Sequence, residues 1–365
     1  MGMQDEAKTR NSQGEKVEVR VDDHLRQIVG DTMTRILAQP KSTVDPHDVP
    51  EWSESVWKST GEAGILESLA QRASVQGGLP AAAALEAVRV CGEAANHLPI
   101  PEAMLANRLL SDAQLNDAVA PLSLGVTADP LRLAAVDGKW RIEGQLIRVP
   151  WGRRVTGVVA DAVDSSGRRY LVHLASDQWR TTKGYNLASA PRDDLSIAGP
   201  IDASTFAVAP KLSSMAAGAV ARTIQIAGAL QTVLAICIEH ATSRVQFGKP
   251  IASFQVIQHQ LAQLAEHVAA AEAAADLACT CFEASHPRLV TSIAKSRASE
   301  AAGAAVAIAH QIHGAIGLCE EHRLPRFTNA LQSWRTEFGS EREHAEYIGR
   351  EAISSPHLWH FLSSV

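Results

Sequence analysis

The sequence predicts a multidomain α+β protein: an N-terminal helical domain, a middle β-sheet or barrel domain, and a C-terminal four-helix bundle. Three observations predict it. A chain of 365 residues, 46% hydrophobic and 20% charged, can bury more than one core, because single cores stop growing at roughly 250 to 300 residues. The spacing of apolar residues changes twice, near residues 119 and 212, from helical steps to short β-branched runs and back. Beyond Leu212, glycine and proline become rare inside long alanine-rich stretches.

Taken in order, residues 1–20 are polar and read as a disordered or added arm. From 21 to 118, Leu25, Ile28, Met33, Ile36 and Leu37, and then Leu85, Val88, Val90 and Cys91, step by three and four as on amphipathic helices. Gly77, Gly78 and Pro80 mark a loop between them. From 119 to 211, the runs KWRIEGQLIRV, VTGVVADAV, RYLVHLA and STFAVA are short and bounded by glycine, aspartate or serine. Strand follows strand without an intervening helix, which predicts a small antiparallel sheet or barrel. From 212 to 365 helices return. Ile257, Leu261, Leu264, Val268, Ala271 and Ala275 form one stripe. Ser213 or Ser214 is placed to cap the first bundle helix and Ser253 the second.

A formal charge of -6 argues against a general nucleic-acid grip, which needs clustered positive charge. Five cysteines without CxxC spacing fit free thiols of a reducing compartment. The N-terminal stretch lacks an apolar signal core, and the longest apolar run, LQTVLAICI, is shorter than the ~20 residues of a membrane span. A cytoplasmic protein with no membrane partner is expected.

The stretch RVQFGKPIASFQ, Arg244 to Gln255, interrupts the helical sequence with a corner. A turn needs only Gly248 and Pro250. Together with AHQIHGAIGLCEEH downstream and the helix, sheet, helix order, this corner resembles the acyl-CoA dehydrogenase family over most of residues 50–355. The resemblance implies that Arg244, Phe247 and Gln255, with Gln311, Gly314 and Gly317, hold the adenosine diphosphate part of FAD. Guanidinium forks match phosphate oxygens, an aromatic ring walls the dinucleotide, and glycine admits close approach. Ala315 stands where the family often has a further glycine. Arg222 matches a family position near CoA.

The same resemblance implies a glutamate base at one of two places, which here hold Phe338 and Ala221. Neither can take a proton. The loop and strand that cover the isoalloxazine in the family correspond to PLSLGVTADPLRL and IEGQLIRVPWGRRV, with Val149 and Pro150 near the expected strand, and no flavin-ring site can be placed on them. The chain thus resembles the half of each family subunit that reaches across to a neighbour's FAD. The implied partner is a catalytic subunit in an α2β2 assembly, similar to those of actinobacterial enzymes acting on steroid side-chain CoA esters, with electron-transfer flavoprotein as acceptor.

Other readings stay open. Glu337 or Glu341 flanks the expected base position and would serve a complete homomeric enzyme if the backbone shifted. Two ExxH strings, Glu283 to His286 and Glu341 to His344, with Glu266 and Glu300, suggest a di-iron bundle, although His286 precedes Pro287. His310 and His313 have zinc half-site spacing but lack an evident third ligand. Glu320 and Glu321 read as capping or pairing residues of the next helix. A scaffold that handles no flavin is the remaining alternative.

Overall fold

A computed structural model describes residues 8–10, 16–18, 21–38, 51–70, 79–115, 121–127, 129–357 and 361. Within the expected arm, β1 (Lys8–Arg10) pairs antiparallel with β2 (Lys16–Glu18), so part of that stretch has structure. The N-terminal domain comprises α1 (Val21–Leu37), α2 (Glu54–Glu62), α3 (Ala81–Ala84), α4 (Glu86–Glu93) and α5 (Ile100–Asp112). Gly77, Gly78 and the expected boundary at 118/119 lie outside the described residues. Every residue of α5 from Ile100 to Leu110 is buried, because this helix packs between the sheet and the bundle.

The middle domain is one sheet of β3 (Leu122–Leu124), β4 (Leu131–Val136), β5 (Lys139–Pro150), β6 (Gly157–Val163), β7 (Arg169–Ala175), β8 (Trp179–Thr182), β9 (Arg192–Pro200) and β10 (Phe206–Val208). Its order is β10-β7-β6-β4-β5-β9-β8, with β3 also on β6. The expected all-antiparallel sheet is corrected here. β3 and β4 both run parallel to β6, one after the other along its length. Short extended runs in series satisfy either pairing, so periodicity did not separate them. Four runs were missed, β9 among them. It opens with Arg192 and Asp193, which look like loop residues yet are both buried.

Among the described residues, the C-terminal domain holds five α-helices where four were expected: α6 (Ser214–Ser243), α7 (Gln255–Cys279), α8 (Pro287–His313), α9 (Leu324–Thr336) and α10 (Glu341–Ser354). Ser213 caps α6 by accepting from the Ala216 amide at 3.1 Å. Ser214 ties the same end to β6 through Asp161, at 2.7 and 2.8 Å. Ser253 does not cap α7; its hydroxyl donates to Pro250 O and Phe254 takes the cap position. Pro287 opens α8 at its first turn, where a missing N–H costs nothing. α4 and α6 cross at glycine: a Cβ on Gly92 would overlap Gln225 O, and one on Gly228 would overlap Arg89 O. Two stretches, Ser214–Ser243 and Pro287–Leu318, are long and apolar enough to cross a bilayer by length and composition, which the count of unbroken apolar runs overlooked. The apolar window of α6 is 72% buried inside the protein and that of α8 44%, and a core helix passes the same test. All five cysteines are free.

Candidate functional site

The corner after α6 is a two-residue hairpin. Val245–Gln246 (β11) pairs with Lys249–Pro250 (β12), leaving Phe247 and Gly248 at its tip. Their φ values are +51° and +78°, the signature of a tight turn that requires left-handed backbone at both central positions. Glycine adopts it freely. Phenylalanine does so against steric resistance, yet the ring is 92% exposed and touches only the edge of Phe254 at 6.0 Å. Arg244, Gln246, Lys249 and Gln255 are exposed around it, and Arg244 forms no ion pair among the described residues.

The second stretch lies beside the first. His240, one turn before Arg244, stacks on His313 at 4.3 Å and 24°, and His313 immediately precedes Gly314. Gln311 and Gly314 are exposed and Gly317 is buried. Gly314 has φ +64° and ψ -147°, a region that is essentially glycine's alone, and nothing lies within 4 Å of its absent Cβ. A Cβ on Gly317 would lie 2.7 Å from that of His313. Of the six residues expected to hold a dinucleotide, five are exposed and Gly317 is buried; they offer a cation, amides, an aromatic ring and bare backbone. These groups fit the diphosphate and adenosine of FAD.

The ring side is closed. Glu337 is buried and accepts four hydrogen bonds: from Arg192 Nε at 2.8 Å and Asn186 Nδ2 at 2.9 Å on Oε1, and from Arg222 Nε at 2.7 Å and Arg192 Nη2 at 3.1 Å on Oε2. Arg222 also pairs with Glu102 of α5 and donates to Gln225. Four charges, Glu102, Arg222, Glu337 and Arg192, neutralise one another across the three domains. Burial alone would raise the Glu337 pKa; Arg192 and Arg222 outweigh it and hold the carboxyl well below the usual carboxylate range. A carboxylate so held is a poor proton acceptor. Arg222, expected near CoA, is 1% exposed and tied into the same buried network.

The Phe338 ring packs against Gly218 and lies 5.1 Å from the Arg222 guanidinium, beside the stretch of α6 that carries Ala221. Phe338 and Gly339 have φ of +55° and +94°, and this kink turns Glu337 inward. At the end of β5, Val149 and Pro150 are buried against Asp193 and Arg192, and Trp151 donates to His97 O at 2.6 Å.

The remaining candidates scatter. Glu341 pairs with Arg335 at 3.3 Å. His344 binds Ser292 and Phe338 O, both at 3.1 Å. Glu300 pairs with Arg297, Glu266 is exposed on α7, and Glu283 and His286 flank the bend before α8. His310 meets Thr328 at 3.2 Å. Among the described residues no group of three metal-ligating side chains forms, which removes the geometric basis for the di-iron and zinc readings. Glu320 and Glu321 lie in the turn before α9 and are exposed.

Residues 211–353 match the family model described as the acyl-CoA dehydrogenase C-terminal domain. Over these residues the chain is similar to the acyl-CoA dehydrogenase family. The acyl-CoA dehydrogenase IpdE2 of Mycobacterium tuberculosis is 36% identical over 131 residues, 35% of this chain and 39% of the relative; the match therefore spans about two fifths of that relative's length. Over the whole fold, the ChsE4–ChsE5 complex from Mycobacterium tuberculosis superposes with a TM-score of 0.83 at 18% identity, covering 93% of this chain and 99% of that one. The Tcur3481–Tcur3483 steroid acyl-CoA dehydrogenase variant gives 0.79 at 17%, covering 92% and 99%. At such identities the likeness shows a shared fold.

Proposed function

We propose that this chain is the non-catalytic subunit of a heteromeric FAD-dependent acyl-CoA dehydrogenase. Arg244, Phe247, Gln255, Gln311, Gly314 and Gly317 clamp the adenosine diphosphate side of a cofactor whose ring and catalytic glutamate sit in the partner. One observation supports this above all: all but Gly317 of the phosphate-side residues are exposed, Phe247 on costly backbone, while both base positions of the same chain are buried and apolar. Bound FAD supplies the hydride acceptor for α,β-dehydrogenation of an acyl-CoA; this chain orients its diphosphate and shields its adenosine from water. The fold shared with a two-protein complex and with a steroid enzyme favours an α2β2 assembly acting in the cytoplasm on a steroid side-chain CoA ester, with electron-transfer flavoprotein as acceptor.

Co-purification with candidate catalytic subunits tests the reading. Half as many flavins as chains is expected, and Arg244→Ala should strip FAD while the assembly's fold persists. One flavin per copy of this chain purified alone would overturn it. The homomeric alternative would then have to run on Glu341, since Glu337 is sequestered.

A further inference from the structure

Resting on the shared-cofactor reading above, we propose that His240 is a further member of the clamp: a second cationic contact beside Arg244 for a dinucleotide diphosphate, taking up a proton as the dinucleotide binds. Three features of the geometry lead there. His240 and Arg244 are four residues apart at the end of α6, joined by the Arg244 N–H to His240 O bond of 2.9 Å, so their side chains share one face. The His240 ring stacks on His313, the residue that precedes Gly314, while His240 itself stands one turn before the hairpin. And that ring is held from behind: His313 donates its Nδ1 proton to Ala309 O at 2.8 Å and meets the edge of His322 at 5.0 Å.

The surrounding charges define what happens on binding. Arg244, His322 and the stacked His313 act on His240 directly; around them stand Cys237 and His310, both beside His313, and the Glu239–Arg323 pair. Glu239 is spoken for by Arg323. His313 is pushed down to about 4 by burial, with the neighbouring imidazoles adding to it, and therefore stays a neutral platform. His240 is only half-buried. Its own pKa is lowered by burial, then by His322 and Arg244, so in the free chain a proton there is opposed by cations with no anion to answer them. A diphosphate placed against Arg244 reverses that field, because an opposite charge within a few ångströms favours the protonated ring. Linkage then makes the dinucleotide bind more tightly as pH falls.

The test uses the assembly of this chain with its catalytic partner, stripped of flavin and titrated with FAD at pH 6 and pH 8. The wild type is expected to bind about tenfold more tightly at pH 6, one pKa unit of coupling, with proton uptake seen by calorimetry in buffers of different ionisation enthalpy. His240→Gln should bring the ratio close to one and abolish the uptake. His240→Gln keeping the wild-type ratio, with Arg244→Ala binding poorly, overturns this inference alone. Arg244→Ala binding FAD like the wild type at both pH values overturns the clamp itself, and His240 with it.

Discussion

Arg222 donates from Nε to Glu337 Oε2 at 2.7 Å, joining the middle of α6 to the kink that ends α9 in a place water does not reach. Removing one partner of such a buried pair strands the other, at a cost of about 3 to 5 kcal/mol. Glu337→Gln, which leaves Arg192 and Arg222 facing a neutral amide, should lower the unfolding free energy of the chain by that order. Urea unfolding of the two proteins side by side measures it, and equal midpoints would show that the network contributes no stability.

Acid should weaken the protein in two stages. His344 is pushed down to about 4 by burial and then by Lys295, so the unfolded chain binds a proton that the folded chain refuses between pH 6.5 and pH 4. Stability from this group is therefore fully present above about 6.5 and lost as pH falls towards 4. Glu337 acts lower. Its folded pKa lies beneath the unfolded one, so its contribution is present above about pH 4.3 and disappears as pH drops through the folded value. Unfolding free energy followed from pH 8 to pH 3 should fall in both windows, and His344→Asn should flatten only the first.

Gly218 leaves room for an aromatic ring and for nothing else. A Cβ there would overlap Phe338, so Gly218→Ala should cost about 1 to 3 kcal/mol by overpacking. In a Phe338→Leu background the same change should cost less, a coupling that a double-mutant cycle reads directly. Additive effects would mean the ring does not rest on Gly218.

The hairpin tip trades stability for contact. Phe247→Gly removes left-handed strain of about 1 kcal/mol and loosens the unfolded chain by part of that, so the isolated protein should melt at the same temperature or slightly higher. Its hold on a partner should weaken, since burying a phenylalanine yields about 1.5 to 3 kcal/mol, or roughly ten- to a hundredfold in affinity. A surface-binding measurement against the catalytic subunit separates the two effects; an unchanged affinity would remove Phe247 from the interface.

Much of this was legible in the residues. The order of helices, sheet and helices, the corner and the glycine stretch are local patterns, written in spacing and composition, and that order of elements is the one the fold shows. Parallel pairing of β3 and β4 with β6 was not legible, because a three-residue strand such as LSL has no period of its own. β9 stayed hidden behind the charges of Arg192 and Asp193, which only distant partners, Glu337 and Arg153, make fit to bury. For the same reason Glu337 passed for a spare base: a sequence shows a carboxylate but not the two guanidiniums, 145 and 115 residues away, that claim it. His240 gave no signal either, since its meaning comes from a ring on another helix.

The exposed tip of the hairpin also has a consequence for how much of this protein a cell can tolerate unassembled. A bare phenyl ring standing in solvent next to Val245, with Ile316 and Leu318 also uncovered, is an adhesive patch on every orphan copy. On the two-subunit reading proposed above, such a surface demands matched supply of the two polypeptides or quick removal of the surplus; overproduction of this one by itself should then yield clumped material that co-synthesis of a catalytic subunit dissolves.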